Sequence, residues 1–276
     1  MAFTESKKLN TKTEIPYLGL GVFRSKEGDE TYNSVRWALD AGYRHIDTAA
    51  FYGNEGSVGK AVRDSGIPRD EIFITTKLWN DDMRRGTQEA AFEKSLKNLM
   101  TDYLDLYLIH WPVPDHYVAS YKILERLYKD DRCRAVGVSN FEPHHLDTLM
   151  KETSLVPAVN QVELHPLLNQ QPLLDYCASH GIALTAWSPL GGTKVDLPHD
   201  PVLTEIGRHY GKSAVQVIIR WNIQRGVVVI PKSSNQQRII ENGQVFDFEL
   251  NNEDMAKINS MNKNERFGSD PDNFNF

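Results

Sequence analysis

A closed barrel of parallel strands alternating with helices, a (β/α)8 barrel, is the fold class the sequence predicts, and three observations predict it. Eight short apolar stretches recur along the 276 residues: LGLG, RHID, IFITT, LDLYLI, AVGVS, VNQVE, LTAWS and VVVIP. Each leads into a loop with a polar residue and then, as a rule, an amphipathic stretch at helical spacing; such alternation implies parallel pairing through crossover helices. The strand interiors are apolar, as strands covered on both faces require. A doubly wound sheet is the competing fold. Its dinucleotide fingerprint is incomplete, because GLGVFR from Gly19 to Arg24 has no third glycine and no predicted helix directly after it. GKS at 211–213 fails as a phosphate loop in the same way, with Ile206 in the place of the first glycine.

Each element follows in order. KKLN and EIPYLGLGVF make an N-terminal hairpin around Thr11, Lys12 and Thr13. Residues 30–41 set Val35, Ala38 and Leu39 at helical spacing, and Gly42 stands where a C-cap glycine belongs. The strand YRHID ends in Asp47, and Tyr52 heads a helix at 54–64 that Gly66 and Pro68 stop. EIFITTK ends in Lys77; after a helix at 87–100, YLDLYLIH ends in His110. A helix at 117–129 precedes CRAVGVSNF, ending in Ser139 and Asn140, and Pro143 suits the first position of another helix. AVNQVELHP ends around Gln161 and Glu163, and IALTAWSPLGG in Trp187 and Ser188. Helices at 201–210 and 213–224 fill a longer gap before GVVVIPKSS, which ends in Lys232 and Ser233. Helices at 236–242 and 251–259 finish the core, and residues 1–276 read as a single domain.

Composition narrows the function classes. A net charge of -6 with no basic helix face argues against a nucleic-acid surface, so small molecules are the expected partners. No apolar run approaches a membrane span, and the polar start MAFTESKKLN lacks the apolar core of a signal peptide, which places the protein in the cytoplasm. Cys133 and Cys177 lack zinc or disulfide spacing and read as buried thiols. No long exposed apolar stripe suggests a dimer, so a monomer is expected.

In a (β/α)8 barrel all strand carboxyl ends open onto one face, where active sites lie. Asp47, Tyr52, Lys77, His110, Ser139, Asn140, Gln161, Ser188 and Lys232 therefore gather at one mouth. A tyrosine is a poor acid near neutrality unless a cation stabilises its anion. Lys77 can supply that charge, Asp47 can hold Lys77 in place, and a histidine can orient a carbonyl. His45, Asp47 and His110, with His144, His145 or His165, could be imagined as metal ligands; the lysine beside them makes the site cationic, and no metal is expected. Phe23, Trp79 and Trp111 follow strand ends and suit either core or an apolar substrate pocket. Arg84 and Arg85 read as solvated charge.

At this point the chain resembles the aldo-keto reductase family, through LGLGVF, YRHIDTAAFYGNE, FITTKLW, DYLDLYLIHWP, AVGVSNF, VNQVELHPLL, TAWSPLGG, VVVIPKS and RIIENGQVFDFEL, in order from about residue 17 to 250. The resemblance implies a catalytic tetrad of Asp47, Tyr52, Lys77 and His110, in which NADPH gives hydride to a carbonyl carbon and Tyr52 protonates the oxygen. It implies cofactor contacts at Gly21, Phe23 and Asp47; a carboxamide site at Ser139, Asn140 and Gln161; and a stacking ring at Trp187. Ser188, Leu190 and Gly191 resemble the pyrophosphate loop, Lys232, Ser233 and Arg238 a 2′-phosphate pocket, and Glu241 and Asn242 adenine contacts. Substrate contacts fall on Phe23, Tyr52, Trp79, His110 and Trp111.

Many animal members carry Tyr at the position of Trp187, a longer insert after the HWP block and a longer tail. Here VPDHYVAS and RFGSDPDNFNF are short, which predicts an open pocket similar to the microbial branch of 2,5-diketogluconate and methylglyoxal reductases and to protozoan prostaglandin F synthases. Reduction of aldehydes, ketones, α-dicarbonyls or prostaglandin-type substrates is the expectation, against an NADPH-binding regulatory subunit without turnover.

Overall fold

The computed structural model describes residues 3, 5–11 and 13–276. Strands β1 (Ser6–Lys8) and β2 (Glu14–Pro16) pair antiparallel as the expected hairpin; Lys12 of its turn lies outside the described residues. Eight parallel strands follow in chain order within one sheet: β3 (Leu20–Gly21), β4 (His45–Asp47), β5 (Phe73–Leu78), β6 (Leu106–Ile109), β7 (Val136–Ser139), β8 (Val159–Glu163), β9 (Ala183–Trp187) and β10 (Val228–Val229). Bridges from Leu18 to Val229 and from Gly21 to Lys232 join the first of these to the last, so the sheet closes on itself.

The helices are α1 (Asp29–Ala41), α2 (Glu55–Asp64), α3 (Asn80–Arg85), α4 (Gln88–Leu99), α5 (Tyr117–Lys129), α6 (Pro143–Glu152), α7 (Gln171–Ser179), α8 (Pro201–Tyr210), α9 (Ala214–Gln224), α10 (Gln236–Gly243) and α11 (Asn252–Ser260). None is long and apolar enough to cross a membrane. Their ends follow local chemistry: Gly42 closes α1 in the left-handed region, Asp200 caps α8 by accepting from Val202 and Leu203, and Ser213 and Gln216 form a reciprocal box at the start of α9.

One expectation changes and one element is added. Tyr52 does not belong to α2 but to a separate 3-10 turn, Ala50–Tyr52, which Gly53 ends at φ 68. Residues 80–85, for which the sequence predicts no element, form the short helix α3 with Gly86 as its left-handed cap, and Arg84 and Arg85 on it are exposed as expected.

Side chains alternate across each strand, and this divides the core in two. Inward residues Phe73, Leu106, Leu108, Ala135, Val159, Ala183 and Val228 meet Leu9 and Ile15 of the hairpin, which plugs the amino end of the barrel. Outward residues such as Ile46, Ile74, Tyr107, Val138, Val162 and Leu184 meet the helices. The same alternation aims the last inward residue of each strand at the carboxyl-end mouth.

Candidate active site

Along β5, Phe73 begins the inward face and Thr75 and Lys77 continue it; along β4, His45 and Asp47 do the same. Lys77 is fully buried and donates from Nζ to Asp47 Oδ1 at 2.7 Å and to the Thr48 carbonyl at 2.8 Å. The loop after β4 is pinned by buried Asn54, whose Oδ1 accepts from Thr48 Oγ1 at 2.7 Å and whose Nδ2 donates to the carbonyls of Val22 (2.9 Å) and Ser25 (3.1 Å). This fixes the turn that carries Tyr52. The Lys77 ammonium lies over the Tyr52 ring, 5.1 Å from its centroid, and the His110 ring stands edge-on to the phenol at 5.7 Å. The four residues expected to act together therefore meet at one place.

Their electrostatics differ from the expectation in one respect. The sequence predicts that Lys77 pulls the Tyr52 pKa down. In the structure desolvation pushes the phenol well above its ordinary range, and Asp47 pushes it further in the same direction. The physical reason is that the ammonium already donates to Asp47 and Thr48, while Tyr52 meets it with its ring. Tyr52 is thus firmly protonated. Burial lowers the Lys77 pKa, with Asp47 opposing the shift. Burial and then the Lys77 charge hold His110 well below the usual imidazole range, so it is neutral.

The amide residues adjoin this group through hydrogen bonds. Gln161 Nε2 donates to Asp47 Oδ2 at 2.7 Å, and Ser139 Oγ donates to the Gln161 carbonyl at 2.8 Å. Asn140 donates to the His110 carbonyl at 3.0 Å and accepts from the Trp187 indole at 2.8 Å. Half-buried Trp187, the last residue of β9, is thereby tied to the site. Around the mouth, Gly21 lies so close to the Ile230 carbonyl that an added Cβ would come within 2.8 Å of it. Ser188 (φ 51), Leu190 and Gly191 (φ 74) form the turn after β9, closed by the Gly191 amide on the Ser188 carbonyl at 2.9 Å. Lys232, Ser233 and Arg238 surround the start of α10, where Asn235 caps the Arg238 amide at 3.0 Å; Lys232 and Arg238 are exposed. Glu241 and buried Asn242 lie one turn further along the helix.

The residues considered as metal ligands do not share one centre, although His144 and His145 lie together beside Asp272. His45 sits below Asp47 with Nε2 3.1 Å from Thr75 Oγ1, and burial pushes its pKa down to about 4. His165 pairs with buried Glu163 at 3.1 Å. His144 and His145 meet Asp272 on the outside of the barrel, and His145 Nδ1 accepts from the Glu142 amide at the start of α6.

An aromatic wall stands over His110. Trp79 stacks on Phe51 at 3.7 Å and meets His110 edge-on at 5.2 Å, while Phe23 packs on Tyr52 at 4.9 Å. Sequence reasoning missed Phe51, although it directly precedes Tyr52. It also expected the short segment after α11 to leave the mouth open; instead this segment covers one side. Phe274 and Phe276 pack on buried Trp111, Phe276 lies parallel to Trp79 at 6.0 Å, and Asn80 and Arg84 of α3 donate to the Phe276 carbonyl.

Known proteins resemble this chain over nearly its whole length. The sequence pattern of the Aldo/keto reductase family matches residues 17–263. The chain is 53% identical to a glyoxal reductase of Bacillus subtilis over 272 residues, 99% of this chain and 98% of that protein. It is 52% identical to a 9,11-endoperoxide prostaglandin H2 reductase of Trypanosoma cruzi over 267 residues, 96% of this chain and 94% of the other. Among solved structures, a Bombyx mori aldo-keto reductase in complex with NADP superposes with a TM-score of 0.91 at 38% identity, covering 99% of this chain and 97% of that one.

Proposed function

The chain belongs to the aldo/keto reductase family, and on that premise we propose that it reduces aldehydes, ketones and α-dicarbonyls to alcohols with NADPH. The observation that carries this reading is the buried Lys77–Asp47 pair at 2.7 Å beneath a protonated Tyr52 and beside a neutral His110. NADPH, when bound, supplies the hydride. Tyr52 gives its hydroxyl proton to the carbonyl oxygen. As the phenol loses its proton, the Lys77 ammonium is the nearest cation, and Asp47 and the Thr48 carbonyl keep it in position. His110, being neutral, orients the carbonyl by a hydrogen bond without competing for the proton. The aromatic wall of Phe23, Phe51, Trp79 and Trp111 excludes water and receives the rest of the substrate.

The chemistry of the donor set fits this cofactor. Trp187 offers a half-buried flat ring held by Asn140, and Ser139, Asn140 and Gln161 offer amide and hydroxyl groups for a carboxamide. Exposed Lys232 and Arg238 with Ser233 stand at a helix start, a combination suited to a phosphate dianion. The preference for NADPH over NADH rests on them. We assign residues 1–276 to one domain acting as a monomer.

The relatives named for glyoxal and prostaglandin H2 reduction guide the substrates to be tried. NADPH oxidation measured with methylglyoxal, a nitrobenzaldehyde, a diketo sugar acid and a prostaglandin endoperoxide tests the reading. Turnover of at least one is expected, and none, with NADPH still bound, would favour a regulatory subunit. Arg238→Ala should raise KM for NADPH about tenfold and leave that for NADH within about twofold. Equal losses would remove the 2′-phosphate assignment.

A further inference from the structure

We propose that Glu163 and Gly268 are positioning residues that set the attitude of the Trp187 indole, and with it the platform for the nicotinamide. The inference rests on the stacking role proposed above for Trp187. Glu163 ends β8 and stands in register with Trp187 on the neighbouring strand, both on inward-facing positions. Its side chain is fully buried, and no lysine or arginine pairs with it among the described residues. Instead Oε1 accepts from the Phe267 amide at 2.8 Å and meets His165 Nε2 at 3.1 Å, while Oε2 accepts from the Gly268 amide at 2.8 Å. Burial raises its pKa, and these hydrogen bonds more than offset that and hold the carboxylate below its usual range. A buried carboxylate engaged this way fixes the backbone of the segment after α11 at one point.

That point is where the segment touches the indole. A Cβ on Gly268 would fall 2.4 Å from Trp187 Cη2, 2.8 Å from Glu163 Oε2 and 3.3 Å from Trp187 Cζ2, so only glycine fits between this edge of the ring and the carboxylate. Further along the ring, at its pyrrole end, Nε1 donates to Asn140 at 2.8 Å. Two holds, one at the pyrrole nitrogen and one at the end of the benzo ring, fix the rotation of the ring, which a single hydrogen bond would leave free. Further anchors keep the segment down: Phe267 stacks on His165 at 5.1 Å, Lys194 donates to the Phe267 carbonyl at 2.7 Å, and Arg266 pairs with Glu142 at 3.0 Å. The atoms in contact belong to the benzo ring of tryptophan, which a phenylalanine at the same position does not supply.

The test is a double-mutant cycle on the full chain, with NADPH affinity read by titration and kcat read separately. Gly268 is exposed and lies outside the barrel, so Gly268→Ala should leave the barrel folded, which circular dichroism checks. It should weaken NADPH binding about tenfold, with kcat at saturating cofactor within about threefold of wild type. In a Trp187→Phe background the same substitution should weaken NADPH binding clearly less, because the contact with the indole is gone and only that with Glu163 Oε2 remains. Glu163→Gln, which replaces one acceptor oxygen by a donor, should weaken NADPH in the same direction as Gly268→Ala. Unchanged NADPH affinity in Gly268→Ala, or an equal loss in both backgrounds, would overturn the inference. A wild-type protein that does not bind NADPH would overturn the reading of the site itself, and this inference with it.

Discussion

The two ends of the barrel are built from the same strands and the same inward face, yet they do different work. At the amino end Phe73, Leu106, Ala135, Val159 and Ala183 close on Ile15 and Leu9 of the hairpin as an apolar plug. Two to four residues further along the same strands, the inward positions carry Lys77, His110, Ser139, Gln161 with Glu163, and Trp187. Alternation decides that a residue points inward, and height along the strand decides whether it meets a plug or a mouth. Burial at the lower end stabilises the fold. At the upper end it shifts proton affinities, raising that of Tyr52 and lowering that of His110.

Substitutions at the two ends should therefore separate activity from stability. Lys77→Met should lower kcat/KM by roughly 10²- to 10⁴-fold and also destabilise the protein by about 3–5 kcal/mol, since it strands the buried Asp47 carboxylate. Combining it with Asp47→Asn should restore much of the stability and none of the activity; urea unfolding and steady-state kinetics on the same samples check both halves. At the other end, Ile15→Ala removes a fully buried side chain and should cost about 2–5 kcal/mol while kcat/KM stays within about twofold. A comparable loss of turnover there would mean that the plug is coupled to the mouth.

His45 lies between the two layers and gives a pH test. Its folded pKa is about 4, below the unfolded value near ~6.5, so between these limits the unfolded chain binds more protons than the folded one. Stability must then fall as pH falls through this window, by up to about 3 kcal/mol from this residue. Urea midpoints measured from pH 7 to pH 4 should drop less steeply in His45→Gln than in wild type. Identical slopes would show that His45 does not report the burial of this layer.

The barrel was legible because apolar runs mark its strands, and the polar residue closing each run marks the mouth. Asp47, Lys77, His110 and Ser139 were all found this way. Other features were not legible. The stretch Asn80–Arg85 is a short polar helix whose start lacks a side-chain cap, so neither periodicity nor capping marks it. The direction of the Tyr52 shift depends on where one ammonium points, and a sequence does not say that Lys77 already donates to Asp47 and Thr48. The packing of Gly268 on Trp187 joins segments far apart in the chain, and an isolated glycine in a polar stretch signals only a turn. Glu163 stood out as a strand end, but nothing local indicates that its partners are backbone amides of residues 267 and 268.

The central claim is that Tyr52 is the proton donor in a site whose other members hold and orient. Tyr52→Phe removes one oxygen and leaves the ring that meets Lys77, His110 and Phe23. The direct measurement is NADPH oxidation by this variant beside wild type, together with NADPH titration of both. The account predicts a fall in kcat of roughly 10²-fold or more with NADPH affinity within about twofold. Turnover by Tyr52→Phe at a rate near that of wild type would contradict it.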